Sequence, residues 1–567
     1  MGRRYGLRGP WVLRGVDLVM PACGLVRIEG ANGTGKSTLL RLLAGIDAPS
    51  EGRITGRPRT AYVPERFPAA LPFTAAGYLV HLGRIHGLRT AEAASRAEEW
   101  LTRFGAAEHA RTPLSELSKG TSQKVAVAQA LLAEPDLLVL DEAWTGLDTG
   151  ARDELDRAVG ARVLAGATVV FVDHDPHRLA GGVDAAYRLE DRTLAPAGLP
   201  ALPLEQPGPR VRIDATGPAG GVLPSGLRGA LAAERTGGDA TERVRLTVAA
   251  AHSDAALRAL LEARPPWHIA GVEPIPLTDR AVTRDRDPDR GAAPGRVPGP
   301  APDLAPGRGA ATDRAVAVAV VQVPDPAPAP VIASSPAPRP AGGGATTALT
   351  RYQAGLLARS QRWLAPVLLY AAFLGVGVGA GQPLLDSLGY AAAALLPVAA
   401  WFVRLCVTQE PPAARTVAAA AAGQPRVHCA ALLTALGSAL ALGVVADGVV
   451  LLISRPTSTD RTVDLPIVPA ACAGLLAVAC CALLGAAVGA LCSRPLLRRH
   501  GWSLVATVFG SLLALVSVGS PARYAVTSLV TGSSAGTVPV PVLPLAGAAV
   551  IAAAVAAVTS RLTSLRG

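Results

Sequence analysis

The stretch Gly30-Ala31-Asn32-Gly33-Thr34-Gly35-Lys36-Ser37-Thr38 decides how this chain is read. A short apolar alternation, Leu25 to Glu29, precedes it, and Leu39, Leu40, Leu42 and Leu43 follow at helical spacing. That is a loop between a strand and a helix, the context a phosphate-binding loop requires. Gly30, Gly33 and Gly35 allow consecutive backbone N–H groups to wrap a triphosphate without Cβ clashes. The helix that starts near Lys36 turns its positive dipole end to the anion. Lys36 reaches the outer phosphates, the Ser37 hydroxyl can ligate Mg²⁺, and Asn32 and Thr38 complete the cradle. The chain has only three lysines, Lys36, Lys119 and Lys124, against 51 arginines. Lysine is kept here, where a compact ammonium fits and a planar guanidinium does not.

A length of 567 residues suggests roughly three or four domains. Half of the residues are apolar, yet the average hides two unlike parts. Six long apolar stretches begin after Thr350, whereas the first 345 residues have a soluble composition. Residues 346–567 hold 14 arginines and five acids, nine of the eleven net positive charges. The basic excess therefore belongs to the apolar half, and no nucleic-acid partner is expected. Of seven cysteines, Cys23 stands apart and six lie between Cys406 and Cys492 without zinc-site spacing, so a packing role is expected. Met1 to Gly6 has no apolar core of a signal peptide, so the soluble part is expected in the cytosol.

Three further motifs follow the loop. Leu137-Leu138-Val139-Leu140-Asp141-Glu142 reads as a buried parallel strand that delivers two carboxylates at its carboxyl end. Asp141 there can hold the Mg²⁺ shell and Glu142 can polarise an attacking water. Thr168 to Val172 reads as another buried strand, ending at Asp173-His174-Asp175. His174 is placed where a γ-phosphate contact can form. Leu117-Ser118-Lys119-Gly120-Thr121 opens a helix that runs to Leu132, with Ser118 as its N-cap and a second anion site behind it.

Together these residues resemble the ATP-binding-cassette family over about the first 200 residues. The order is Walker A (Gly30–Ser37), signature (Leu117–Thr121), Walker B (Leu137–Asp141), Glu142, the D-loop Gly146-Leu147-Asp148 and the switch residue His174. The resemblance implies ATP and Mg²⁺ as cofactors, and contacts from Ser118 and Gly120 to the γ-phosphate of ATP held by the opposite subunit. It also places Tyr5 where the adenine-stacking aromatic belongs, with Trp11 as the substitute. Two departures stand out. Lys119 replaces a signature glycine and Thr121 a glutamine. Glu65, in Tyr62-Val63-Pro64-Glu65, occupies the place of a usual glutamine, where it can ligate Mg²⁺ but adds a negative charge. Both variations resemble the ABC-2 exporter subgroup.

The expected architecture is multidomain: an α/β ATPase over residues 1–200, a small α/β segment over 201–277, a linker over 278–346, and a six-helix transmembrane domain over 347–567. In the small segment Arg210–Ile213, Glu242–Val248 and Trp267–Val272 read as strands and Asp254–Ala263 as a helix. The linker, rich in Pro, Ala, Gly, Arg and Asp, has too little apolar surface to fold, with Ala315–Val323 as an apolar exception. Tyr352–Arg362 reads as an amphipathic helix at the inner membrane interface. The expected spans are Trp363–Gly381, Leu388–Val407, Cys429–Ser454, Leu465–Ser493, Gly501–Ser520 and Val540–Ser560. Eleven arginines fall on the inner side and three on the outer, which puts both termini in the cytosol. Gln409–Val427 is the candidate for docking on the ATPase, with a solvated loop as the alternative. Asp447 is expected near the outer boundary, solvated.

The functional expectation is a dimeric half-size ABC exporter in the cytoplasmic membrane, moving a hydrophobic or amphipathic substrate. Its partners are then itself or a second half-transporter, membrane lipid and that substrate. The alternatives are an ABC ATPase that signals or transmits force without moving a substrate, and a soluble regulator with an inert anchor.

Overall fold

The computed structural model describes residues 1–6, 9–67, 70–197, 210–218, 230–238, 241–249, 253–262, 267–275, 342–497 and 500–566. They belong to two units, Met1–Leu204 with Pro340–Gly567, and Glu205–Arg339.

In the first unit a short antiparallel pair, β1 (Arg3–Arg4) and β2 (Trp11–Leu13), precedes the main sheet. Strands β3 (Leu25–Glu29), β4 (Thr60–Val63), β5 (Leu137–Asp141), β6 (Thr168–Val172) and β7 (Ala185–Glu190) run parallel in the order β4-β5-β6-β3-β7. The strand β8 (Thr193–Ala197) closes the edge antiparallel to β7. Helices α1 (Lys36–Leu43), α2 (Ala75–Ile85), α3 (Thr90–Arg103), α4 (Lys119–Leu131) and α5 (Thr149–Leu164) connect the strands. All five residues of β5 are buried, as expected of a parallel strand covered on both faces. Because β3, β6 and β5 are neighbours, the loops after them open side by side at the carboxyl edge, where doubly wound sheets bind ligands.

The second unit is a four-stranded antiparallel sheet in the order β10-β11-β9-β12, formed by β9 (Arg210–Pro218), β10 (Ala230–Gly238), β11 (Thr241–Ala249) and β12 (His268–Ile275), with helix α6 (Ser253–Glu262) between β11 and β12 in the chain. Its core is Ile213, Val244, Leu246, Val248, Ala256, Leu260 and Trp267. The alternation of Val244, Leu246 and Val248 puts one face of β11 inside. Strand β10 was not expected: Ala-Leu-Ala-Ala-Glu-Arg-Thr-Gly-Gly has little β preference, and pairing with β11 supplies what propensity does not. Most of the expected linker, Ala315–Val323 included, lies outside the described residues.

The helical part begins with α7 (Gly342–Arg359), whose first five residues lie inside the expected linker, and not as a surface helix. Ala348, Leu349, Tyr352 and Leu356 are buried in the same apolar core as the ATPase. Tyr352 stacks on Phe73 at 5.5 Å between ring centroids and meets His81 edge-on. Burial and the nearby Arg359 and Arg84 push His81 down to about 4, so its ring is neutral at pH 7 and packs as an apolar surface.

All six expected apolar stretches form helices, but they are not six equivalent spans. The first, α8 (Leu364–Gly377), has 14 residues and ends at Val378-Gly379-Ala380-Gly381. The helix α9 (Leu384–Thr408) is long and apolar enough to cross a membrane. Gln409–Val427 is no solvated loop: α10 (Pro412–Ala422), with Pro412 at its start and an alanine-rich body, packs on β4 and α2. Between α7 and α10, Gln353 Nε2 donates to the buried Glu410 carboxylate at 2.9 Å. Next come α11 (Gln424–Ile453) and α12 (Ile467–Leu491), both of spanning length. The fifth stretch is α13 (His500–Val516), which continues after Gly519-Ser520-Pro521 as α14 (Pro521–Ala535), bent by 48°. The helix α15 (Val542–Arg566) is the fourth of spanning length, and its Ser564 carbonyl accepts from Ala48 N–H of the ATPase at 2.9 Å. Four helices, or five if the bent pair is one span, can therefore cross a membrane among the described residues. Leu504, Val508, Phe509 and Leu512 on α13 and Val550 on α15 face outward, suited to lipid.

Asp447 corrects an expectation. It does lie six residues before the end of α11, yet it is 1% exposed, and neither carboxylate oxygen has a hydrogen-bond partner among the described residues. Gly474 of α12 makes the room: a Cβ there would stand 3.0 Å from Asp447 Oδ2.

Candidate active site

The phosphate loop leaves β3 at Gly30, whose φ of +150° no side chain accommodates easily. A Cβ there would stand 2.7 Å from the Leu189 carbonyl of the neighbouring β7. Gly33 and Gly35 also have positive φ, and Gly35 caps α1 with no side-chain hydrogen bond. The first-turn N–H groups of α1 thus remain available for an anion. Asn32 lies exposed on the loop. Lys36 is nearly buried and donates from Nζ to the carbonyls of Gly30 at 2.7 Å and Ala31 at 3.0 Å. Its ammonium is therefore held inside the loop.

Ser37 Oγ donates to Asp141 Oδ1 at 3.3 Å, which brings two of the three expected Mg²⁺ ligands together. The other oxygen, Oδ2, accepts from the Tyr62 hydroxyl at 2.9 Å. Burial pushes the Asp141 carboxyl up; the Tyr62 and Ser37 bonds oppose that, and Glu142 and Glu65 add to it. Glu65 itself is exposed, with its carboxylate 3.7 Å from Arg66 Nε. Glu142 follows in a left-handed conformation, φ +53°, and its N–H donates to the Val172 carbonyl. This turns its carboxylate toward His174, whose Nε2 lies 2.9 Å from Oε1. Two acids adjacent in sequence are so sent to different partners, Asp141 to Ser37 and Tyr62, Glu142 to His174.

Tyr5 reaches the far side of α1, with its hydroxyl 3.2 Å from Thr38 Oγ1 and its ring under the Arg3 guanidinium at 5.1 Å. Trp11 is covered instead by Arg4 and Arg14. Ser118 caps α4, accepting from Thr121 N–H at 3.1 Å, and stays exposed. A Cβ at Gly120 would stand 3.1 Å from the Gly146 carbonyl, so the start of α4 packs directly on the loop before α5. There Lys124 pairs with Asp148 at 2.7 Å and holds its carboxyl below the usual range. Asp148 also caps α5.

Tyr62 and Gln129 were not singled out from the sequence. Gln129 Nε2 donates to the Tyr62 carbonyl at 2.8 Å, inside the protein. No local signal marks either residue, because their meeting depends on β4 lying beside β5.

A glycine-lined anion cradle, an ammonium within it, a hydroxyl beside a carboxylate for Mg²⁺ and a second carboxylate beside an imidazole define a phosphate-loop ATPase, here built onto an apolar helical bundle. The family model described as ABC transporter matches residues 13–145. The chain is 38% identical over 217 residues, 37% of its own length and 76% of the relative, to the aliphatic sulfonates import ATP-binding protein SsuB 2 of Pseudomonas aeruginosa. It is 39% identical over 178 residues, 30% of its length and 70% of the relative, to the zinc import ATP-binding protein ZnuC of Cereibacter sphaeroides. A solved ATP-binding subunit of an ABC transporter matches 35% of this chain and 89% of that one, at 26% identity and a TM-score of 0.33. The chain belongs to the ABC transporter family. Its ATPase binds ATP with Mg²⁺ and hydrolyses it, and such ATPase domains work as dimers.

Lys36→Ala is expected to weaken ATP binding by roughly a hundredfold, about 3 kcal/mol, since a charge-assisted contact in a buried cradle is lost. Lys36→Arg should not restore it, because a guanidinium does not fit between two carbonyls. Binding of a fluorescent ATP analogue to purified protein measures both.

Proposed function

We propose that this chain is half of a dimeric, ATP-driven exporter of the ABC-2 type in the cytoplasmic membrane, with both termini in the cytosol. The observation that carries the reading is the shared core of ATPase and helices. Leu349, Tyr352, Val417 and Val427 from α7, α10 and α11 are buried together with Phe73 and Tyr78 of the ATPase. A passive anchor has no need of three helix segments docked on the catalytic domain. The contact of Ser564 with Ala48 supports a cytosolic carboxyl end, as does the arginine bias of the inner loops. The names of these relatives speak of import, but they describe separate ATP-binding subunits aligned to 37% and 30% of this chain. The fusion to a helical domain, Glu65 and the Leu-Ser-Lys-Gly-Thr signature favour export. An apolar groove lined by Leu357, Trp363, Val367, Phe402, Leu442 and Val445 supports a hydrophobic or amphipathic cargo.

The bound nucleotide supplies a γ-phosphoryl group for transfer to water. Gly30, Asn32, Gly33, Gly35, Lys36 and Thr38 hold the phosphates by backbone N–H groups, the ammonium and side-chain polar groups. Ser37, Asp141 and Glu65 hold Mg²⁺. Glu142 takes the water proton at its carboxylate, and His174 orients that carboxylate and contacts the γ-phosphate. Tyr5 stacks on adenine, while the exposed Ser118 and the half-buried Gly120 face the ATP of the partner subunit. Closing two such sites pulls on α7 and α10 and so on the spans.

The test uses purified protein in liposomes, with ATPase stimulation screened over a panel of amphipathic compounds. Compounds that stimulate turnover and accumulate in inside-out vesicles with ATP support export. Stimulation without movement favours signalling or force transmission.

A further inference from the structure

We infer that Tyr62 is a positioning residue for the metal ligand Asp141. The inference rests on the reading of Ser37 and Asp141 as the Mg²⁺ site. Tyr62 is 3% exposed, and its hydroxyl donates to Asp141 Oδ2 at 2.9 Å inside the protein. The carboxylate is thereby held at both ends, since Oδ1 accepts from Ser37 at 3.3 Å. An aspartate's terminal torsion is broad and roughly two-fold, so one bond leaves the group free to swing and two fix its plane.

The tyrosine is itself fixed. Its backbone pairs with Val139 in the β4–β5 ladder, and its carbonyl accepts from Gln129 of α4 at 2.8 Å. An ionised carboxylate can only accept hydrogen bonds, whereas the phenol carries an O–H to donate. The direction of the bond is therefore fixed: the phenol donates and the carboxylate accepts. Phenylalanine fills the same space. What the hydroxyl adds is a hold on the oxygen turned away from Ser37, which keeps Oδ1 aimed at the metal. Partners of this kind behind a metal ligand commonly contribute a 10- to 100-fold gain in metal affinity.

The experiment uses the full chain carrying Glu142→Gln, so that nucleotide stays intact, and titrates Mn²⁺ with saturating ATP by electron paramagnetic resonance. Tyr62→Phe is expected to weaken Mn²⁺ binding about tenfold, while ATP binding in EDTA and the melting temperature in EDTA stay at parent values. Mn²⁺ affinity within about twofold of the parent overturns the inference, and so does a parallel loss of metal-free ATP binding, which marks a structural role. Asp141→Asn is titrated alongside. If that variant binds Mn²⁺ as the parent does, it is the assignment of Asp141 to the metal site that fails.

Discussion

Replacing Glu142 by glutamine is expected to stop ATP turnover, by roughly a thousandfold, while ATP remains bound. The substitution leaves the loop from Gly30 to Thr38 untouched and keeps an oxygen near His174 Nε2, now 2.9 Å from Oε1. What it removes is the carboxylate paired with His174, while Asp141 keeps its bonds to Ser37 and Tyr62. Its left-handed backbone presents that carboxylate to the loop, and an amide in the same place cannot take a proton from water. Single-turnover release of phosphate, alongside retention of labelled ATP, measures both halves. Turnover near the parent value would remove Glu142 from its role.

The second large effect is expected in the membrane bundle. Gly485 and Gly489 of α12 face α9 four residues apart, the small-residue spacing that lets helix backbones touch in lipid. A Cβ at Gly485 would collide with the Leu396 carbonyl, and one at Gly489 would stand 2.6 Å from the Ala400 carbonyl and 2.8 Å from Val403 Cβ. Backbone cannot yield as a side-chain tip can. Gly485→Leu should therefore split α9 from α12 and cost roughly 2–3 kcal/mol, or prevent assembly of the bundle. Val468→Leu, on the same helix but 73% exposed, is the control and should melt like the parent. Thermal unfolding in lipid nanodiscs reads the difference. Equal melting of Gly485→Leu and parent would contradict the α9–α12 packing.

What the sequence revealed follows how local each signal is. The phosphate loop, the acidic end of β5 and the Ser118 cap are each written within about ten residues, so their elements were legible. The Tyr62–Asp141 bond was not, because it joins residues 79 apart through sheet order. Gln409–Val427 read equally as a loop or a docking piece, since its alanines fit a helix but say nothing about what that helix packs on. The bend after α13 shows in Gly519 and Pro521, yet apolar length alone reads the stretch as one plain span. Asp447 read as a solvated residue and is buried, because its burial depends on a glycine of another helix.

The central claim is that two chains complete each other's ATP sites, which a mixed dimer tests most directly. One tagged chain carries Lys36→Ala, and a differently tagged chain carries Ser118→Arg. Each homodimer has a lesion in both sites, whereas the mixed dimer gathers both lesions into one site and leaves the other whole. Doubly purified mixed dimers are expected to recover ATPase activity, to roughly half the parent rate if the intact site fires independently. Stable mixed dimers as inactive as either homodimer would contradict independently competent sites shared between two copies of this chain.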